Sequence, residues 1–369
     1  MEYYALIEPL VRNKYWSSQY TEGIKQEISR AKGRYKEITF DDLEAIHAAD
    51  MRGHTRSVVL VNCISLNWIS DCLARMENMS IHPLLLTPIG RANPAFVSSI
   101  SFDFYGVFYN LCHYLNGTGH GNIALFGLNP SSANDVVKQA AFSRYYEAAG
   151  GDGGRHIFWN NGTLEDCCVA FYQKIQAYNA VICANDILAV KLIRFLKQRG
   201  VKVPDDLYIA AMGNTSLSEL ITPRITVARF DCHAIGQHAA RLYRFLTKNP
   251  DMSSVTAHVS GQIIARESTG QIPPVFAAPK SVEKSAYINF YADDDVRNIF
   301  SLEELFQKSD ELDRHIIHGL LCERSYSDLA ASLFVSESTV KYRVRKMTEA
   351  AGCRTKEELL SLLEAYIDF

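Results

Sequence analysis

Between Ser336 and Lys356 the chain carries Lys341, Arg343, Arg345, Lys346, Arg354 and Lys356 against two acids, Glu337 and Glu349, a net charge of +4 over 21 residues. The whole chain of 369 residues has a formal charge of −3, so this excess is local. Val340, Val344 and Met347 recur at i, i+4 and i+7 and would bury one side of a helix. Thr339, Lys341, Tyr342, Arg343 and Arg345 fall on or near the other side. Such a helix can lie in the major groove of double-stranded DNA, with its polar N-terminal half against base edges and its cations near phosphates. The candidate DNA-binding residues are Ser336, Ser338, Thr339, Lys341, Tyr342, Arg343, Arg345 and Lys346. A basic run alone also describes a solvated helix. Here capping, turn, apolar period and charge agree.

The elements that must position this helix occupy residues 310–369. Asp310 can cap a first helix carrying Leu312, Ile316, Ile317, Leu320 and Leu321. Ser325 and Ser327 are candidate caps for a short helix from Asp328 to Leu333. Phe334-Val335 is the turn, and Ser336 caps a third helix, Glu337 to Ala350, stopped at Gly352. Thr355 caps a fourth, Lys356 to Tyr366, with Glu358 at the spacing of a capping box. A short helix, a tight turn and a longer helix opening Ser-x-x-Thr-Val make a helix-turn-helix pattern.

A second group of residues suits a small ligand. From residue 1 to about 270, continuous apolar runs alternate with segments at helical period. The runs are residues 3–7, 58–61, 83–86, 123–126, 180–183 and 207–211. They suit strands buried on both faces of a parallel sheet. Residues 17–32 and 185–198 are examples of the helical segments, the second stopping at Gly200. The expected fold class is α/β, with two doubly wound lobes of parallel sheet and a C-terminal all-α unit. The lobe break is placed near the three glycines of residues 116–121, NGTGHG.

Ligand clefts in such folds form at the carboxyl ends of strands. Tyr15, Trp16 and Tyr20 follow the first strand and either stack on a ring or pack as core. Asn185 and Asp186 follow the run ending at Cys183, with one expected to cap a helix and the other to face the cleft. The expected division is a two-lobed ligand-binding domain over 1–270, a connector over 271–309 and a helix-turn-helix domain over 310–369. The connector holds Pro273, Pro274 and Pro279, the acidic run Asp293-Asp294-Asp295, and Tyr287, Phe290 and Tyr291, which are too apolar for a solvated linker.

Two resemblances follow from these residues. Residues 326–360, YSDLAASLFVSESTVKYRVRKMTEAAGCRTKEELL, resemble the LuxR-type helix-turn-helix. That likeness implies a scaffold helix opening at Asp328-Leu329-Ala330 and a recognition helix opening at Ser336 and Thr339-Val340-Lys341. The chain departs from the common pattern at Leu329 and Arg343. Asn185-Asp186-Ile187-Leu188-Ala189, Gly200 to Leu207, and Arg266-Glu267-Ser268-Thr269 are similar to the effector domain of lactose- and galactose-repressor-type regulators. That likeness implies a periplasmic-binding-protein fold, two lobes crossed three times by the chain and closing on a small ligand. It also implies ligand contacts at Asn185, Asn214, Lys138, Phe230 and Ser101. Asn214, Lys138 and Ser101 differ from the usual residues, which leaves the effector open between a sugar and another metabolite. That family's usual N-terminal DNA-binding headpiece is expected to be missing, with its work moved to the other end.

Other chemistry finds no support. The sequence has no GxSxG, HExxH, GxGxxG or phosphate-loop pattern, so no enzyme and no cofactor are expected. Nine cysteines without a CxxC give no zinc or disulfide framework and suit scattered small apolar residues in a reducing compartment. His315 and His318 lack a third ligand, so no metal is expected. The N-terminus has no basic region ahead of an apolar core, and no stretch is long enough for a membrane span. The resulting expectation is a cytoplasmic, ligand-responsive transcription regulator that binds DNA as a homodimer. The alternative is a small-molecule sensor whose helical unit serves protein interaction.

Overall fold

The structure is a computed structural model and describes residues 1–53, 57–89, 96–148, 150–270 and 293–367. Tyr287, Phe290, Tyr291 and the three prolines expected in the connector lie outside the described residues. In chain order the elements are β1 (Glu2–Ile7), α1 (Tyr15–Arg30), β2 (Arg34–Ile38), α2 (Asp42–Gly53), β3 (Val58–Asn62), α3 (Leu66–Asn78), β4 (His82–Leu85), β5 (Ser98–Phe102), α4 (Phe104–Gly117), β6 (Ile123–Leu128), α5 (Ala133–Ala148), β7 (Ile157–Trp159), α6 (Leu164–Tyr172) and β8 (Ala180–Cys183). They continue with α7 (Asp186–Lys197), β9 (Tyr208–Met212), α8 (Leu217–Leu220), β10 (Thr226–Arg229), α9 (Cys232–Lys248), β11 (Thr256–Val259), β12 (Gln262–Ile264), α10 (Asp294–Lys308), α11 (Glu311–Leu321), α12 (Tyr326–Ser332), α13 (Glu337–Ala350) and α14 (Lys356–Tyr366).

The chain divides into two units. The first holds residues 1–111, 128–155 and 229–262, and the second holds 112–127, 156–228 and 263 onward. The first change of unit falls inside α4, at 111–112, ahead of the glycines at 116–121, because a helix can carry the chain across without a flexible turn. Residues 128–155, with α5, belong to the first unit although β6 lies in the second sheet. By this division the described chain changes unit at five points.

Unit 1 is built on a six-stranded sheet in the order β11-β5-β4-β3-β1-β2. Its pairs are parallel, with Tyr4 opposite Val59 and Leu84 opposite Ser98. Alternate residues of each strand serve opposite faces. Tyr3, Ala5, Val58, Leu60 and Leu84 meet Tyr20, Ile24 and Ile28 of α1 and Ile235, Ala239 and Tyr243 of α9. Leu6, Val59, Val61 and Leu85 meet Leu43, Ile69, Cys72 and Met76 on the other face. Helices α1 and α9 cross where both carry glycine. A Cβ on Gly23 would stand 2.1 Å from the His233 carbonyl oxygen, and one on Gly236 2.1 Å from that of Tyr20. Backbones this close admit no side chain.

Unit 2 holds a sheet in the order β12-β10-β9-β8-β6-β7, with parallel pairs such as Val181 opposite Ile209. Helix α7 packs on β8 and β9 with Ile187, Ala189, Val190, Ile193 and Leu196 buried, as its period predicts. It also buries Lys191, which pairs with Asp295 of α10, and Phe195, whose ring meets Tyr172 of α6 edge-on. Helix α10 falls in the stretch expected to be a connector. Asp293 caps it through the Asp295 and Val296 amides, and Val296, Ile299, Leu302, Leu305 and Phe306 are buried along it. The acidic run is thus a helix start, where carboxylates meet the positive end of the helix dipole. Helix α10 also packs on α13 and α14.

All nine cysteines are free thiols, and six are buried. Burial pushes Cys72 and Cys167 up to about 12, which leaves them inert packing groups. Among the described residues no group of three metal-ligating side chains is assembled, and no helix is long and apolar enough to cross a membrane.

Candidate functional site

The helix-turn-helix forms from α12, the turn at Leu333–Val335, and α13. The Ser325 hydroxyl accepts the Asp328 amide at 3.2 Å and starts α12 at Tyr326, two residues earlier than expected. The Ser336 hydroxyl accepts the Thr339 amide at 3.1 Å and also pairs with the Ser338 and Thr339 hydroxyls. Val340, Val344 and Met347 are buried, which turns Ser338, Lys341, Tyr342, Arg345 and Lys346 outward. Lys341 pairs with Glu337 at 2.6 Å and Arg345 with Glu349 at 3.6 Å, both one helical turn away and solvent-exposed. Such pairs are worth about 0.3–0.5 kcal/mol, so phosphate can displace them. The half-exposed Tyr342 ring lies between Lys346 at 5.5 Å and Arg345 at 5.7 Å.

Arg343 does not join this outward set. It turns inward and pairs with Asp310 at 2.6 Å and Asp313 at 3.0 Å, the carboxylates of the capping box that opens α11. Its position, one residue before buried Val344, puts it at the edge of the apolar stripe, where a long side chain reaches the neighbouring helix. It holds α13 against α11. Phe334, missed as a feature, is 95% exposed in the turn and sits at φ 55°, a conformation that favours glycine.

In unit 1 the ligand candidates are brought together through two phenylalanines that sequence reasoning missed. Trp16 meets Tyr20 edge-on at 5.4 Å, Tyr20 lies 6.4 Å from Phe102, and Phe102 packs on Phe230 at 4.2 Å. Phe230 meets Phe104 at 5.8 Å, and the Lys138 ammonium stands 5.6 Å from the Phe104 ring centre. Lys138 is buried and paired with Asp135 at 2.7 Å. Trp16 and Phe230 are half-buried, whereas Tyr20 is buried in the core and burial pushes its phenol well up. Tyr15 is exposed. Ser101 is buried in β5, 3.3 Å from His258 of β11, which occupies it within the sheet.

Asn62, at the carboxyl end of β3, is a further candidate that sequence reasoning missed. Its amide nitrogen donates to the Ser17 hydroxyl at 2.7 Å, while its buried Oδ1 has no hydrogen-bond partner among the described residues. Buried polar atoms are almost always satisfied, so an open acceptor here suits a ligand donor. Its only sequence signal is a polar residue ending an apolar run.

In unit 2 Asn185 caps α7 by accepting the Leu188 amide at 2.9 Å. Asp186 is 2% exposed and accepts the Thr215 amide at 2.5 Å. Burial, aided by the charge of Glu303, pushes its carboxyl up to about 6 against the pull of the Thr215 donor. Asn214 accepts from Arg266 at 2.6 Å and donates to Glu219 at 3.4 Å. Arg266 also donates to Glu219 and to the Ile225 carbonyl oxygen, and burial pulls its guanidinium below its usual value. Asp186, Asn214 and Arg266 thus form one polar group around the loop at 213–217.

Comparison with known proteins finds likenesses for both the α/β and the helical part of the chain. A family model described as a periplasmic binding protein-like domain matches residues 112–269. An AsnC-type helix-turn-helix model matches residues 310–348, so the match gives a helix-turn-helix but not the LuxR type expected. The chain is 22% identical over 226 residues to the HTH-type transcriptional regulator GanR of Bacillus subtilis, covering 58% of this chain and 67% of that protein. It is 28% identical over 218 residues to the HTH-type transcriptional repressor PurR of Mannheimia succiniciproducens, covering 58% and 64%. For PurR of Vibrio atlanticus the match spans 49% of the relative, so the chain covers about half to two-thirds of these relatives. Among solved structures it is similar to the transcription regulator CcpA of Lactococcus lactis, with a TM-score of 0.58, 18% identity, and coverage of 73% of this chain and all of that one. A complex of the transcriptional regulator CelR with cellobiose gives a TM-score of 0.58 at 17% identity, covering 72% and 84%. The fold is that of LacI-family regulators, two parallel-sheet α/β units, with a helical helix-turn-helix unit at the C-terminal end.

Proposed function

We propose that this chain is a ligand-responsive, DNA-binding transcriptional regulator. The observation that carries the proposal is α13, a capped helix that buries one apolar side and turns Lys341, Arg345, Lys346, Ser338 and Tyr342 to solvent. The relatives support it, being transcriptional regulators and repressors by name. The α/β part takes a small-molecule effector, a sugar or another metabolite; the candidate contacts are Trp16, Asn62 and Phe230 in the first unit and, separately, Asp186 and Asn214 in the second. The helical part binds DNA as a homodimer on half-sites about 34–36 Å apart, one helical turn. Effector changes DNA affinity only through its different affinities for two arrangements of the protein. The protein works in the cytoplasm and has no enzymatic role. Helix α10 packs on the helix-turn-helix segment and forms part of the same helical unit.

The test is selection of fragments from the source genome by purified protein at fixed salt, with and without a metabolite extract. Enrichment of a few sites sharing a two-fold symmetric motif is the expected result. Failure to enrich any site under either condition, with retained binding to a protein partner, would replace this function with the protein-interaction alternative.

A further inference from the structure

The loop at 213–217 is held from two sides. On one side, Asp186 at the start of α7 accepts the Thr215 amide. The loop backbone lies hard against this carboxylate: Gly213 sits at φ 111°, and a Cβ there would stand 2.9 Å from Asp186 Oδ1. Only glycine allows that approach. On the other side, Glu303 of α10 accepts the Ser216 amide at 3.0 Å and the Leu217 amide at 3.1 Å. Gln307, one turn further along α10, donates to the Ser216 hydroxyl at 3.1 Å and to Glu303. Glu303 is 3% exposed, and burial pushes its carboxyl up against the pull of these donors.

Two buried acids therefore grip consecutive amides of one short loop. One belongs to the proposed effector site. The other belongs to the helix on which α13 and α14 pack. A second tie joins α10 to α7 without touching the loop. Asp295 pairs with Lys191 and accepts the Tyr366 hydroxyl at 2.7 Å, and Lys191 also pairs with Glu165 at 3.0 Å. The Asp295 tie docks the helical unit, while the Glu303 tie reads the loop.

We infer that Glu303 is the positioning residue that transmits the state of the effector site to the DNA-binding helices, through the amides of Ser216 and Leu217. A ligand group competing for Asp186 or Asn214 shifts Thr215. The shift carries Ser216 and Leu217, and Glu303 follows with α10 because a buried carboxylate that loses its donors is costly. The inference rests on the regulator function proposed above and names the coupling element within it.

The test is a double-mutant cycle on the full chain, with substitutions standing in for the effector and affinity for a genome-selected DNA fragment as the readout. Asp186→Asn changes DNA affinity at least threefold although it touches no DNA-binding helix. In a Glu303→Gln background the same substitution changes affinity less than 1.5-fold. In an Asp295→Asn background its effect persists, because that tie does not involve the loop. Equal effects of Asp186→Asn in all three backgrounds, or none in the wild type, overturn the inference. If the wild type binds no DNA, the regulator function itself falls. Hydrogen exchange of the α10 amides then reads the same cycle: Asp186→Asn alters it in the wild type and Asp295→Asn backgrounds but not in Glu303→Gln. Thermal midpoints of all variants confirm that each is folded.

Discussion

The outer face of α13 and the loop around Asp186 both concentrate charge, and they do so under opposite conditions. On α13 the cations stand in water, beside acids one turn away, at almost no cost to the fold. Around the loop the carboxylates of Asp186 and Glu303 are buried, and burial pushes both toward the protonated form. A charge in water is cheap and becomes useful only when a partner arrives. A charge in the interior costs stability continuously, so its position implies a task in which the charged form takes part. The first kind can be counted in a sequence. The second is seen only once the fold shows what surrounds it.

The contrast breaks most readily on the DNA side. Replacing Lys341 and Arg345 together by alanine lowers DNA affinity roughly tenfold to a hundredfold and reduces the slope of log affinity against log salt by about 2. A titration of binding across salt concentrations checks this, and an unchanged slope would mean that α13 does not meet phosphate.

The buried side gives the next effect, with the opposite sign. Asp186 has a carboxyl pushed up to about 6 in the folded chain, against about 3.9 when unfolded. The folded state holds the proton more tightly, so the contribution of Asp186 to stability is fully present below about pH 4 and lost as the pH rises to about 6. The charge of Glu303 from α10 acts in the same sense, and the Thr215 donors oppose it. Asp186→Asn removes the buried charge and offers the Thr215 amide a weaker, neutral acceptor. It is expected to raise stability at pH 8 by about 2 kcal/mol and to flatten the dependence between pH 4 and 6. Urea unfolding at several pH values measures both, and a variant that is less stable at pH 8 would show that the charge is compensated.

Arg343 sharpens the comparison at its boundary. It lies on α13 but makes its pairs inside the helical unit. Arg343→Ala costs about 1 kcal/mol of stability and leaves the salt slope of DNA binding unchanged. A slope reduced by a full unit would return Arg343 to the DNA-facing set.

Legibility in the sequence followed burial. Strands β1, β3, β4, β6, β8 and β9 lie inside their sheets and are buried on both faces, so each appears as an unbroken apolar run. Strands β2, β7, β11 and β12 are sheet edges, and the first carries Arg34, Lys36 and Glu37 on its exposed positions. Strand β5 escaped for another reason. It is interior but built of Ser98, Ser99 and Ser101, whose hydroxyls are satisfied in part by His82 and His258. The helix-turn-helix was legible because caps and heptad-like spacing are local. Phe102, Phe104, Asn62, Arg266 and Glu303 were not, since their roles come from neighbours distant in the chain. Helix α10 was hidden by its acidic start, which resembles a linker when read without the helix behind it.

Helix α10 also sets the unit in which this architecture can be exchanged. A fragment cut at residue 310 keeps the whole helix-turn-helix but leaves α13 and α14 without the helix they pack on. Any hybrid regulator joined at that point would display raw apolar surface to water. The exchangeable piece therefore includes α10, and a new partner domain would have to supply the socket that α7 and the loop at 213–217 provide here.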